Sequence, residues 1–241
     1  MKSKKNKLVL FVFLIFFSVI PLTNYAACYW IEPPPPPNQP LKLAFFIYAS
    51  DVATESIIRP YADILGYDHG YIAFLYEDPN LESVFDSIDN LEDYNDMLFF
   101  YFYGHGEHVD GQFIFDYSPA LDMGSIMLRY HFDKFEAESI AVLMESCYSG
   151  EFVDRFEDND KYLIMTPTDI NHPAAAYGPS FPSEPIFSDF FWSYVDSGDD
   201  AITAFNKAKA KNAEEPYLSP YGTWTNRYPQ KTAFYSGYNF F

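Results

Sequence analysis

Two short polar motifs in this chain combine the residue types of a nucleophilic catalyst. The first is the tetrapeptide YGHG with His105 as its third residue, and the second is the hexapeptide ESCYSG with Cys147 as its third. The histidine and the cysteine are 147 − 105 = 42 positions apart. A nucleophilic thiol needs a base or a cationic partner, and the amine that leaves needs a proton donor. An imidazole placed beside Cys147 would meet both needs.

Each motif directly follows an apolar segment with strand character. Met97–Tyr103 (MLFFYFY) has rings on both faces, as a strand has in a sheet covered on both sides, and Ser139–Met144 (SIAVLM) is similar. The loops after parallel strands share one edge of the sheet, where ligands bind. We therefore expect His105 and Cys147 to face one another at this edge.

Strand and helix patterns alternate along most of the chain, which favours an α/β fold with a mostly parallel, helix-covered sheet. The other predicted strands are Lys42–Ala49, Tyr71–Tyr76 and Tyr162–Met165, with a last strand near Thr232–Tyr235. The predicted helices are Val52–Leu65, broken or kinked at Pro60, then Leu81–Leu91, Ile186–Val195 and Ala201–Ala210. Asp199 and Asp200 are expected to cap the last helix. The dipeptide Asp110-Gly111 predicts a small hairpin after the third strand.

Glycines in the two motifs have expected roles. Gly106 lets the backbone approach a substrate carbonyl, and its N–H together with that of Cys147 would form an oxyanion hole, worth roughly 3–4 kcal/mol where enzymes use one. Gly150 frees the turn before a helix expected to begin around Phe152. A thiol near that helix terminus would be favoured as thiolate.

The two motifs together resemble those of the caspase–legumain superfamily of cysteine peptidases. The likeness lies in Gly-His-Gly after one strand, acidic-x-Cys-x-Ser-Gly after the next, and the separation between them, and it spans roughly Lys42 to Ala210. It implies a three-layer α/β/α caspase-like fold without a cofactor. It also implies His105 and Cys147 as a catalytic dyad, with Gly106 as oxyanion donor.

Other interpretations of these residues stay open. A cysteine that ends an apolar strand is commonly a small buried hydrophobe, and a histidine near a turn is commonly structural. A catalytically inactive caspase-fold surface protein that binds peptides or proteins is the main alternative to an enzyme. A zinc site at His105 and His108 is disfavoured, because the loop is rich in glycine and the two residues are not on a helix. We therefore expect no metal.

The resemblance also suggests how a substrate side chain would be bound. The residue two positions before the nucleophile lines the primary specificity pocket in this superfamily, and here it is Glu145. Asp51 follows the first strand, where caspases supply an arginine, and Asp169 follows the fifth. A pocket of carboxylates predicts cleavage after Arg or Lys. Legumains also carry an acidic residue before the cysteine and accept Asn, so Asn stays open.

Composition restricts the class of protein. The chain has 241 residues, 49% of them hydrophobic, which suits one globular domain with a sizeable core. Its formal net charge of −19 opposes binding to nucleic acid. Of the two cysteines, Cys28 lies near the N-terminus, so a disulfide framework is not expected.

The N-terminus has the composition of an export signal. A lysine-rich start is followed by an apolar run from Leu8 to Leu22 and by Ala26-Ala27, which predicts a signal peptide over residues 1–27. Cys28 then stands where a lipoprotein carries its lipid, although ordinary cleavage nearby fits equally well, and the apolar run is short for an uncleaved anchor. A Pro-rich linker over 28–41 precedes the domain at 42–241. The sequence thus predicts a secreted or cell-surface cysteine endopeptidase or transpeptidase, with a peptide or protein as substrate.

Overall fold

The computed structural model describes residues 27–28, 40–109, 112–115, 123–174, 176–177, 184–214 and 228–233. The strands are β1 (Ala27–Cys28), β2 (Lys42–Tyr48), β3 (Ile72–Glu77), β4 (Met97–Tyr103), β5 (Glu107–Val109), β6 (Gln112–Phe115), β7 (Met123–Gly124), β8 (Ser139–Glu145), β9 (Tyr162–Thr166), β10 (Ala176–Tyr177), β11 (Glu184–Pro185) and β12 (Gln230–Lys231). The helices are α1 (Glu55–His69), α2 (Leu81–Asp89), α3 (Ser125–Phe132), α4 (Gly150–Phe156), α5 (Ile186–Asp196) and α6 (Ala201–Glu214).

The main sheet has seven strands in the order β1-β3-β2-β4-β8-β9-β12. The strands from β3 to β9 in this order are parallel, and β1 and β12 pair antiparallel at its two edges. The mostly parallel α/β architecture predicted from the sequence is confirmed. The hairpin after β4 is formed by β5 and β6, although its turn at 110–111 lies outside the described residues. The last strand was predicted near Thr232–Tyr235, of which 234–235 lie outside the described residues, and the described strand is β12 (Gln230–Lys231).

Alternation along β4 divides the core into two layers of rings. Phe100 packs toward α3, with its ring 4.7 Å from that of Phe132. Tyr101 packs the other way, with its ring 6.1 Å from that of Trp192 in α5. Successive side chains of a strand point to opposite faces. The sheet is therefore covered by helices on both sides, which gives the three layers predicted.

The first helix differs from its prediction at both ends and in the middle. The break expected at Pro60 is absent, because α1 continues through this proline from Glu55 to His69. A proline removes the hydrogen bond to the carbonyl four residues earlier, which belongs to Ser56. Ser56 is exposed, so water can satisfy that carbonyl. The helix ends at Gly70, whose φ of 71° is left-handed and suits a residue without Cβ.

The last helix has the cap that the sequence predicts. Oδ1 of Asp200 accepts hydrogen bonds from the backbone N–H groups of Ile202 and Thr203, each at 3.0 Å. Asp199 instead forms an ion pair with Lys207 at 2.6 Å. Across the part of the chain that the structure describes, no helix has both the length and the hydropathy to cross a membrane.

We predict that acid destabilises the fold partly through His131. This imidazole is 6% exposed and lies 5.0 Å from the ring of Phe85. Burial lowers its pKa, and that of His69, below the ordinary value. The unfolded chain therefore binds more protons, and stability falls as pH drops below about 6.5, by at most about 1.4 kcal/mol per pH unit for each group.

The test is chemical denaturation of the wild type and of His131→Leu between pH 7.5 and pH 5. Leucine keeps the apolar contact and does not titrate, so the variant should lose less stability over this interval than the wild type. Equal slopes of the two unfolding free energies against pH would contradict the assignment.

Candidate active site

Three loops of the molecule begin side by side at one edge of the sheet. Tyr103 at the end of β4 pairs in register with Tyr48 of β2 and with Glu145 of β8. The pairing extends into the loops, since the N–H of Ala49 donates to the carbonyl of Tyr103 at 3.0 Å and that of Gly104 to Glu145 at 3.3 Å. Tyr103 and Glu145 are the last paired residues of β4 and β8, and His105 and Cys147 each follow them by two positions. The two loops therefore start side by side, while the facing of His105 and Cys147 across them stays a prediction.

Cys147 lies in a tight turn and is partly exposed. The next residue, Tyr148, has a left-handed φ of 58°, which is uncommon for a residue with a side chain. Its N–H donates to the carbonyl of His172 at 3.0 Å, which holds the turn in this conformation. Strained backbone of this kind persists only where its surroundings impose it, and it is frequent at functional sites.

The thiol of Cys147 is not a ready thiolate in this environment. Burial raises its pKa above the ordinary value, and the negative charge of Glu145 acts in the same direction. A backbone hydrogen bond from Ala174 lowers the pKa in part. Because the net direction is upward, the resting group is a neutral thiol, and its use as a nucleophile needs a base.

The imidazole of His105 lies beside a carboxylate. Its Nε2 is 3.4 Å from Oδ2 of Asp51, and the two side chains are 43% and 41% exposed. The sequence had suggested Asp51 for the substrate pocket, and the structure places it against His105. Gly106, the predicted oxyanion donor, is buried directly after His105, and its role stays a prediction.

Glu145 points into the molecule and is only 1% exposed. Its Oε2 accepts a hydrogen bond from the backbone N–H of Ser188 at 3.0 Å and another from the Ser188 hydroxyl at 2.5 Å. Ser188 lies in the first turn of α5, where backbone N–H groups lack helical acceptors. The carboxylate therefore satisfies the N-terminus of this helix. Its predicted contact with substrate stays a prediction.

A second carboxylate, the half-buried Asp189, follows Ser188 and also has a partner. Asp189 accepts a hydrogen bond from the hydroxyl of Tyr61. Burial, together with the charge of Asp189, raises the pKa of Tyr61 well above its ordinary value. Tyr61 therefore remains a protonated donor. The two contacts join α1, α5 and the end of β8 beneath the Cys147 loop.

Asp169, the third predicted pocket residue, belongs to the loop after β9. Its Oδ1 accepts from the N–H of Asn171 at 2.8 Å and lies 2.6 Å from Nδ1 of His172. The ring of His172 is 4.6 Å from that of Tyr228. The three predicted pocket carboxylates thus have three different partners.

His172 was not identified from the sequence. The sequence signal that could have identified it is its position three residues after Asp169, in the loop that follows the buried strand β9. Within the described residues, no group of three or more His, Cys, Asp or Glu side chains has a geometry that could hold a metal ion.

No protein-family model matches this sequence, and the curated proteins contain no significant match. Solved caspases have a similar fold. The Drosophila initiator caspase Dronc aligns over 80% of both chains with a TM-score of 0.55 and 8% identity. Caspase-1 from Spodoptera frugiperda aligns over 81% of this chain and 89% of its own, with a TM-score of 0.58 and 14% identity. The chain is therefore an α/β protein of the caspase fold, as the sequence predicted.

We predict that Gly150→Ala disturbs the turn that carries Cys147. A Cβ at this position would lie 2.6 Å from the backbone of Asp169 and Ile170, so the loop after β9 would have to move. We expect a loss of about 2 kcal/mol in the free energy of unfolding, the usual size of an overpacking defect. Denaturation curves of the variant measure it.

Ser149→Ala is the matched control for this variant. Ser149 is the neighbouring residue, and within the described residues its buried hydroxyl has no hydrogen-bond partner. Removing it should change the free energy of unfolding little. Equal stabilities of the two variants would contradict the close packing at Gly150.

Proposed function

We propose that this chain is an exported cysteine endopeptidase in which Cys147 is the nucleophile and His105 transfers protons. The observation that carries the proposal is the register of β4 and β8 in a caspase fold, because it starts the two loops side by side. The alternative of amide transfer uses the same covalent intermediate and differs only in the group that attacks it.

The proposed reaction has two stages. The proton of the Cys147 thiol moves to His105 while sulfur bonds to the substrate carbonyl carbon. The N–H groups of Gly106 and Cys147 donate to the oxyanion. His105 then gives its proton to the amine as the C–N bond breaks, which leaves a thioester. Water, or an amine in transfer, attacks the thioester and restores the thiol. The raised pKa of Cys147 makes the first proton transfer the step that most needs His105.

Cleavage after Arg or Lys is the expected specificity. The loops at 49–53, 103–107, 145–150 and 166–174 contain no lysine or arginine, so these four loops lack a cation to bind an acidic side chain. Asp51 and Asp169 add negative charge at the same edge. A cationic side chain is therefore favoured over an acidic one near Cys147.

The test is turnover of fluorogenic peptides that end in Arg, Lys, Asn or Asp. We expect Cys147→Ala to abolish activity and His105→Ala to lower kcat by about 100-fold or more. His172→Ala is the control, since it removes an imidazole that is also paired with an aspartate and is 37% exposed. It should retain activity within a few-fold. Turnover by Cys147→Ala would refute the mechanism, and exclusive cleavage after Asp would refute the specificity.

A second function is a caspase-fold surface protein that binds peptides without cleaving them. The raised pKa of Cys147 favours it, because a neutral thiol reacts slowly. Equal alkylation of Cys147 in the wild type and in His105→Ala, with no turnover of any of the four peptides, would support binding over catalysis.

We further propose that residues 1–27 direct export and that Cys28 begins the mature chain, with or without lipid. The lysine-rich start, the apolar run and the two alanines support this. Mass spectrometry of the N-terminal peptide from exported protein should show Cys28 as the first residue. A lipid there would add its mass and place the protein in the membrane fraction. An intact Met1 start would contradict cleavage.

A further inference from the structure

Glu151 carries a buried carboxylate that the proposed reaction does not use. It lies in the first turn of α4, four residues after Cys147, and is 7% exposed. Its Oε1 accepts a hydrogen bond at 3.2 Å from the hydroxyl of Ser125, the first residue of α3. Nη2 of Arg155 is 4.0 Å from the same oxygen, which is too far for a hydrogen bond. Within the described residues its Oε2 is buried without a hydrogen-bond partner. Because a buried charge with few donors costs free energy, its presence here needs an explanation.

The contact of Ser125 with Glu151 joins the N-terminal ends of two helices. At the other ends, Nη1 of Arg129 in the last turn of α3 donates to the carbonyl of Arg155 in the last turn of α4 at 3.0 Å. The two helices are therefore held together at both ends. Only the N-terminal contact lies near the nucleophile in the chain, since α4 begins three residues after Cys147.

The helix α3 is reached from the His105 loop through a small antiparallel sheet, formed by β5, β6 and β7. In this small sheet Glu107 of β5 pairs with Ile114 of β6, and Ile114 pairs with Gly124 of β7. Glu107 follows His105 by two positions, and Gly124 directly precedes Ser125. Since neighbouring strands are about 4.8 Å apart, this row places the start and the end of the small sheet about 10 Å from one another.

The loops of His105 and Cys147 are therefore connected by two routes. The main sheet joins them where they begin, through the register of β4 and β8. The small sheet, α3 and the contact of Ser125 with Glu151 join them again where they end. Catalytic groups need supporting residues that lock their position, because a displacement of about 1 Å can lower a rate by about 100-fold.

We infer that Glu151 is a positioning residue for Cys147 in the proposed reaction. It accepts from Ser125, and this contact fixes the first turn of α4 relative to the small sheet. The turn of Cys147 leads directly into α4, which begins at Gly150. The contact therefore sets the place of the sulfur relative to the His105 loop. This inference rests on the proposed function, because the place of the sulfur matters only if the thiol reacts.

Glu151 takes no part in the proton transfers of the proposed reaction. The pKa of Cys147 is raised, so reaction of the thiol depends on a correctly placed base. Loss of the contact should displace the turn of Cys147 and lower kcat. It should leave KM unchanged, because Glu151 is buried below the turn and binds no substrate atom.

A purely structural role of the contact would change the reactivity of the thiol in the opposite direction. If the contact only stabilised the fold, its loss would raise the fraction of open or unfolded chain, in which Cys147 is accessible. Alkylation of the thiol would then become faster. If the contact positions the turn, the thiol of the folded protein loses its alignment and alkylation becomes slower. The sign of the change therefore distinguishes the two roles.

The experiment compares Glu151→Met with Glu151→Gln in the full chain. Both side chains have the length of glutamate, and only glutamine keeps an oxygen that can accept from Ser125. The readout is the rate constant for alkylation of Cys147 by iodoacetamide at neutral pH, measured on the Cys147 peptide by mass spectrometry. We expect Glu151→Met to react about fivefold more slowly, the effect of losing one typical hydrogen bond, and Glu151→Gln to stay within about twofold of the wild type.

Ser125→Ala removes the same contact from the other side and should repeat the result of Glu151→Met. The double variant should be no slower than either single variant, because all three lack the same hydrogen bond. Ser139→Ala is the matched control. It also removes a buried hydroxyl, which has no hydrogen-bond partner within the described residues and lies at the start of β8, away from Cys147. It should react like the wild type.

The outcomes separate this inference from the proposed function. Wild-type or faster alkylation in Glu151→Met and Ser125→Ala, together with slow alkylation in His105→Ala, would overturn the role of Glu151 and leave the peptidase proposal intact. Equal alkylation of the wild type and His105→Ala would overturn both. In turnover of the Arg peptide, a raised KM with unchanged kcat would also overturn the positioning role. Circular dichroism checks the folding of each variant, and if Glu151→Met does not fold, Ser125→Ala decides alone.

Discussion

The in-register pairing of β2, β4 and β8 is the constraint on which the candidate site depends. Backbone hydrogen bonds continue past the last paired row, from Ala49 to Tyr103 and from Gly104 to Glu145. The loops therefore leave the sheet with a fixed offset, and a shift of one residue in any strand would also exchange its side chains between the two buried faces of the sheet. Since Phe100 and Tyr101 are both buried among rings on opposite faces, that shift is strongly opposed.

The turn of Cys147 is also supported by contacts with α5 and with the loop after β9. Glu145 attaches the end of β8 to the first turn of α5, and the loop after β9 packs against Gly150. The carbonyl of His172 holds Tyr148 in its left-handed conformation. These contacts come from elements far apart in the chain, so the turn is held in this conformation only in the complete fold. Its geometry is therefore a property of tertiary structure and not of the local hexapeptide.

The sequence predicted the central strands well, because strands buried on both faces are continuous apolar runs with clear ends. It failed at Pro60, where the helix continues and the carbonyl that loses its hydrogen bond belongs to the exposed residue Ser56. For the site, it located the loops of His105 and Cys147. It did not identify the partners of Asp51, Glu145 and Asp169, because the direction of a side chain at a strand end depends on which neighbours the tertiary fold brings there.

The contact between Glu145 and Ser188 has an evolutionary consequence. The carboxylate is buried, so it requires a donor, and the buried first turn of α5 requires an acceptor. Loss of the carboxylate alone leaves the N–H and the hydroxyl of Ser188 in the core without this acceptor, whereas a paired change that keeps an acceptor for the N–H does not. In descendants of this sequence, positions 145 and 188 should therefore vary together, even though 43 residues separate them.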